Sequence, residues 1–124
     1  MRQVEISFGR GGKFTAGLLE DQAPSTCEAV WAALPVEGTV LQARFSGEEM
    51  FVTTAIDAAA ENQVSPSAGD IAFNPDPAWR AICIYYGPKI KAGHPFNLFA
   101  RIDGDLEQLR RVGERVWREG GELV

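Results

Sequence analysis

The chain has 124 residues, 45% of them hydrophobic, with three Trp, two Tyr and seven Phe, enough to bury a core as one domain without metals or disulfides. Seventeen acids against twelve bases give a net charge of -5, which opposes attraction to phosphate backbones and anionic lipids, so nucleic acid and membrane surfaces are poor partners. No apolar run is long enough to span a bilayer and the N-terminal residues alternate as a strand does, which points to a cytoplasmic protein.

Val4, Ile6 and Phe8 alternate with polar residues, Gly9-Arg10-Gly11-Gly12 turns the chain, and Phe14, Ala16 and Leu18 resume the alternation: a hairpin. Ser25 and Glu28 have capping-box spacing, and Cys27, Val30, Trp31 and Leu34 follow on one helical face until Pro35 stops the helix. Thr39 to Phe45 returns to strand character, with Leu41, Ala43 and Phe45 on one face and Val40, Gln42 and Arg44 on the other. Ser46-Gly47-Glu48-Glu49 then reads as the turn of a second hairpin into Met50 to Thr54. Ala55 to Ser67 lacks clear periodicity apart from a helical turn in AIDAAAE, and structureless stretches of that length in compact domains are often functional.

The next segment carries the most information. Asn74-Pro75-Asp76-Pro77 must reverse the chain, because two prolines fix φ and the Asn and Asp side chains bond their own backbone. Trp79 to Tyr86 is then apolar on both faces, as a central strand covered on both sides would be. Gly87 to Pro95 is a loop with the single histidine, His94, and Phe96 to Ile102 is another strand. Asp105 to Gln108 again has cap-box spacing. It opens a helix with Leu106, Leu109, Val112, Val116 and Trp117 on one side, ended by Gly120-Gly121, and Glu122 to Val124 supplies a last short strand. Gly113 weakens that helix by about 1 kcal/mol relative to Ala, which implies close packing against a neighbour. A strand-rich chain with two helices avoids open edges by curling into a small antiparallel barrel plugged by the helices.

Several segments, taken in order, resemble the small bacterial and archaeal proteins of unknown function that adopt a cyclophilin-like β-barrel: Ala43 to Glu48, Glu61 to Gln63, Pro66 to Phe73, Tyr85 to Gly87 and Gly93 to Asn97. The resemblance covers nearly the whole chain. It implies a mostly β fold, a single cyclophilin-like antiparallel barrel with two helices over residues 1–124, and no agreed reaction. Prolyl isomerases of the cyclophilin class place an arginine in an apolar pocket, and Arg44, with Met50, Phe51 and Gln63 nearby, is the loose counterpart here.

No catalytic motif stands out. Gly9 to Gly12 lacks the Lys-Ser/Thr of a phosphate loop, Ser46 and Ser67 lack a nucleophile elbow, and Cys27 and Cys83 read as small buried hydrophobes. One His without HxxxH or CxxC spacing argues against a metal site, and no cofactor is expected. Arg111, Arg115 and Arg118 are interleaved with Glu107, Glu114 and Glu119, the pattern of a solvated face.

The polar and aromatic residues left over cluster at the hairpin tip and the irregular loops, where binding residues sit on a rigid scaffold. Arg44, Glu48, Glu61, Tyr86, His94 and Phe96 are therefore the expected lining of a ligand pocket, with Arg44 either clamping an anion or pairing with Glu48 or Glu49. The expected function is binding of a small molecule or peptide within bacterial metabolism. The alternatives are a peptidyl-prolyl isomerase and a structural or assembly module, and whether the chain is an enzyme stays open. The apolar last strand, Glu122 to Val124, leaves an edge that invites pairing with the N-terminal strand or with a second copy, so a homodimer or larger closed assembly is expected.

Overall fold

The computed structural model describes residues 2–91 and 94–124. Eight strands and two α-helices follow in the order β1 (Gln3–Ser7), β2 (Lys13–Leu18), α1 (Pro24–Ala33), β3 (Thr39–Gln42), β4 (Gly47–Thr53), β5 (Asp70–Asn74), β6 (Ala81–Ile90), β7 (Asn97–Asp103), α2 (Leu106–Glu119) and β8 (Glu122–Leu123), with a 3-10 turn at Arg44–Ser46 before β4. All strands join one sheet in the order β1-β2-β7-β5-β6-β4-β3-β8, and every pairing is antiparallel. The sheet curls until its edges almost meet. Just past β1, the Gly9 amide donates to the Leu123 carbonyl of β8 at 2.7 Å, bridging the two edge strands.

β6 is the central wall. It is hydrogen-bonded to β4 on one edge and β5 on the other, and period-two alternation divides its side chains between two apolar clusters. Ile82, Ile84 and Tyr86 face the main core with Leu18, Phe73, Phe99 and the buried sides of both helices, whereas Ala81, Cys83 and Tyr85 face a second cluster with Ala72, Phe51, Ile90 and Phe96. The double-sided apolar pattern thus has its physical cause. The strand starts at Ala81 and runs to Ile90, so Trp79 lies in the preceding turn, half exposed, and Gly87 to Ile90 is strand where a loop was expected. The turn uses the expected side chains: Asn74 Oδ1 accepts from the Asp76 amide (3.1 Å) and Asp76 Oδ1 from the Ala78 amide (2.9 Å).

α2 opens as its sequence predicts, with Asp105 accepting from the Gln108 amide at 3.1 Å, and buries Leu109, Val112, Gly113 and Val116. Gly113 lies against the Tyr86 ring so closely that a Cβ there would overlap it. α1 is capped differently. Pro24 rather than Ser25 begins the helix, Ala23 supplies no side-chain cap, and the acceptor for the Thr26 amide is the carboxylate of Glu61, 35 residues away. Val30 of α1 is buried as expected, but Trp31 stays at the surface with the Arg2 guanidinium 4.8 Å above its ring, and Leu34 is exposed.

Two further expectations are corrected. The strand expected over Thr39 to Phe45 ends at Gln42, with Val40 buried and Leu41 and Phe45 exposed, and the reversal is made by the Arg44–Ser46 turn, with Glu48 and Glu49 already inside β4. Residues 55–61 form no helical turn but an irregular segment pinned by Asn97 of β7. Asn97 Oδ1 accepts from the Glu61 amide (3.2 Å) and Gln63 Nε2 (3.1 Å), while Nδ2 donates to Ala59 O (2.9 Å) and Thr26 Oγ1 (3.1 Å). Fully buried and fully bonded, Asn97 ties the long loop, β7 and α1 together.

Candidate functional site: an apolar cavity at the barrel seam

Where the sheet fails to close, β1 presents an unpaired edge. One end of this seam is clasped. Glu122 of β8, its side chain only 2% exposed, accepts from Arg10 Nε at 2.8 Å and Arg115 Nε at 3.0 Å, and Arg115 Nη2 also donates to Gly11 O at 2.7 Å. Burial opposes the charge on Glu122, but the bonds from Arg115 and then Arg10 outweigh it and hold its carboxyl below the ordinary carboxylate range.

Beside the clasp the seam opens into a cavity of about 470 Å³ that reaches the core between β1, β8 and the C-terminal end of α1. Its floor is Val52, Ile71, Ile82, Ile84 and Phe99; its sides are Val4 and Ile6 on β1 with Phe8 just past it, and Val30 on α1 with Leu34 just past its end. Polar groups, Glu5, Ser7 and Glu37, come from β1 and from the segment after α1. Val4, Ile6 and Ile82 point into this space and are therefore only partly buried, although each belongs to the apolar pattern of its strand. A volume in the range of ordinary ligand pockets, lined by branched aliphatic side chains, suits a small and mainly apolar molecule. Its floor is hydrocarbon throughout, and its polar lining residues lie at the rim.

The six residues expected to line a pocket are distributed over three places. Arg44, Glu48 and Tyr86 lie on the α2 side. The Arg44 guanidinium donates to Trp117 O at 2.7 Å and covers the Trp117 ring at 4.8 Å, so it pairs with neither Glu48 nor Glu49. Glu48 accepts from the Lys89 amide at 3.0 Å and lies 3.9 Å from Arg110 Nε, and the Tyr86 hydroxyl donates to Gln42 Oε1 at 2.9 Å. Glu61 caps α1. His94 and Phe96 form an edge-to-face pair, ring centres 6.5 Å apart, and line an open groove with Trp79, Asp76 and Gln63. Gly93, part of one segment carrying the family resemblance, lies outside the described residues.

A second, smaller cleft of about 120 Å³ on the outer face of β4 and β6 ends at Glu49 and Cys83. Glu49 is 4% exposed, and burial pushes its carboxyl above the ordinary range despite hydrogen-bonding groups of Cys83, Ser46 and Tyr85 around it. Sequence reasoning placed Glu49 in a turn and so on the surface. The signal that could have found it is its spacing from Phe51, which puts both side chains on one face of a strand. The seam cavity had no comparable signal, because Val4, Ile6 and Ile82 read as ordinary core. Among the described residues no group of three His, Cys, Asp or Glu side chains could hold a metal ion, and no helix is long and apolar enough to cross a membrane.

Solved structures share the architecture, McbB and AF2241 among them. The chain superposes on McbB, solved in complex with tryptophan, with a TM-score of 0.76 at 21% identity, over 98% of this chain but only 43% of McbB. It spans less than half of that protein. The solution structure of the hypothetical protein AF2241 from Archaeoglobus fulgidus matches with a TM-score of 0.71 at 26% identity, over 98% of this chain and 89% of that one. No curated protein matches in sequence. Residues 6–124, from Ile6 of β1 to Val124 just past β8, match one family model, and the chain belongs to that family, described as a protein of unknown function (DUF3830).

Proposed function

We propose that this protein binds a small, mainly apolar molecule in the seam of its barrel. One observation carries the reading: three side chains patterned for the core, Val4, Ile6 and Ile82, face an open cavity of about 470 Å³ instead of one another. Fully burying an aliphatic side chain stabilises by about 1.5–3 kcal/mol, so a ligand that covers all three recovers stabilisation that the empty barrel forgoes. Glu37, at the rim, disfavours anions and favours neutral or cationic ligands. McbB, on a similar fold, holds tryptophan, which supports a ligand of that size class without identifying it.

The barrel remains cyclophilin-like in this reading, and its place is in bacterial metabolism in the cytoplasm. Prolyl isomerisation is less well supported, because Arg44 is engaged by Trp117 and lines none of the cavities described above. An assembly role and a homodimer rest on Leu123, 68% exposed beside the β1 edge, and sedimentation at micromolar concentration tests them.

The test of the seam is direct. N-phenyl-1-naphthylamine, a neutral fluorophore, should brighten on the wild-type protein, and Ile82→Trp, which places an indole in the cavity, should abolish the signal while leaving the melting temperature unchanged or raised. A wild-type protein that leaves the fluorophore dark, or an Ile82→Trp variant destabilised as an overpacked core would be, overturns the reading.

A further inference from the structure

The outer-face cleft asks for a different ligand. Glu49, on β4, is buried at its base, and among the described residues no Lys, Arg or His forms an ion pair with it. Buried carboxylates are ordinarily paired, because an isolated charge away from water is costly. The neighbours that might have been basic are Cys83 and Tyr85 on β6 and Ser46 in the turn before β4, all neutral at pH 7.

The walls are aromatic. Phe51, Trp79, Phe96 and Phe45 surround the opening, with Phe51 and Trp79 packed edge to face at 5.7 Å. Phe45 is 75% exposed and Trp79 is 44% exposed, although both are large apolar side chains. The Asn74–Arg80 turn holds Trp79 in place: the Trp79 and Arg80 amides both donate to Asp76 O at 2.8 Å. The cleft is continuous with the wider groove of His94 and Asp76, which shares Asn74, Trp79 and Phe96 with it.

We propose that this cleft binds an organic ammonium ion, with the cationic head on Glu49 between the faces of Phe45, Phe51, Trp79 and Phe96 and the tail along the groove beside His94. A cation supplies the counter-charge Glu49 lacks, and aromatic faces attract desolvated cations. A volume of about 120 Å³ takes a head group of a few heavy atoms and no more, so bulk beyond it must follow the groove. The site lies on the opposite face of β6 from the seam cavity and does not depend on a ligand there.

Calorimetry with three matched probes tests the proposal: phenethylammonium, neutral 2-phenylethanol and anionic 3-phenylpropionate. The ammonium should bind about tenfold more tightly than the alcohol and the anion least tightly, Glu49→Gln should weaken the ammonium about tenfold and bring it level with the alcohol, and Phe45→Ala, an exposed position whose loss leaves the core intact, should weaken it severalfold. Ile82→Trp should bind phenethylammonium as the wild type does. Equal binding of ammonium and alcohol by the wild type would mean that Glu49 acts as a neutral hydrogen-bond donor and would overturn the proposal. So would a Glu49→Gln protein of unchanged affinity, or no uptake of the ammonium at millimolar concentration. Should Glu49→Gln fail to fold, the wild-type ammonium-to-alcohol ratio and Phe45→Ala still decide.

Discussion

Replacing Glu122 by Gln should unfasten the seam. The carboxylate accepts from the Arg10 amide at 3.3 Å, from Arg10 Nε at 2.8 Å, from Arg115 Nε at 3.0 Å and from Arg115 Nη2, and its own side chain is almost fully buried. Breaking a buried pair costs about 3–5 kcal/mol when the partner charge is left dry. Here both guanidiniums keep some contact with water, the Arg10 side chain being 37% and the Arg115 side chain 22% exposed, and Gln keeps one acceptor oxygen. The expected loss is therefore smaller, about 2 kcal/mol at pH 7. Because Glu122 titrates lower in the folded chain than in the unfolded one, the stabilisation is present above the unfolded carboxylate value, near 4.3 for model peptides, and is lost as pH falls through the folded value. Urea denaturation of both proteins from pH 7 to pH 3 should show the gap closing only on the acid side. Hydrogen exchange should show the Gly9 amide, which bonds to Leu123 O, losing protection. A difference under about 0.5 kcal/mol at pH 7, the size of a surface pair, would refute the idea that this clasp holds the barrel shut.

Gly113→Ala forces a methyl into the Tyr86 ring and should cost about 1–3 kcal/mol in denaturant titrations, whereas Gly104→Ala, with open space around it but φ at +108°, should cost only about 1 kcal/mol. Asn97→Ala removes the partner of four groups at once; a loss of about 3 kcal/mol and rapid exchange of the Glu61 amide are expected, and a near-neutral variant would show that the loop is held otherwise. Burial pushes the Cys27 thiol up to about 11 and the Cys83 thiol well above its usual value, so both should react with a disulfide reagent at pH 8 only in denaturant. Glu49 titrates above the unfolded value, so its burial favours the folded state below that value and penalises it as pH rises. Glu49→Gln should be more stable than the wild type at pH 8, on the order of 1 kcal/mol, and this advantage should vanish by pH 4.

What could be read from the sequence follows the range of the interactions involved. The α2 cap is legible because Asp105 and Gln108 are one turn apart, and the two-sided burial of β6 is legible because every side chain from Ala81 to Tyr86 is apolar. The α1 cap is not, since its acceptor, Glu61, comes from a loop that only Asn97 brings within reach. The same distance explains the division of the expected pocket residues, whose places are set by partners such as Trp117 and Gln42 rather than by neighbours in the chain. A reversal expected at Ser46 to Glu49, two to three residues later than the Arg44–Ser46 turn, shifts Glu49 from a strand face into solvent and hides a buried carboxylate with no basic partner among the described residues.

Both cavities share one wall. β6 is hydrogen-bonded along both edges, so its backbone is among the least deformable parts of the barrel, while its alternating side chains serve the seam through Ile82 and Ile84 and the outer cleft through Cys83. A strand fixed in this way holds side chains to the tolerance that recognition needs, which loops alone do not. Chemistry divides with the faces. The inner cavity can be emptied or filled at little electrostatic cost because its floor is hydrocarbon, whereas the outer cleft carries a buried acid whose burden on stability grows with pH. On the proposed reading, a bound cation would supply the counter-charge that offsets this burden, so the wild type should gain thermal stability from phenethylammonium more at pH 8 than at pH 5, and an equal gain at both would count against it.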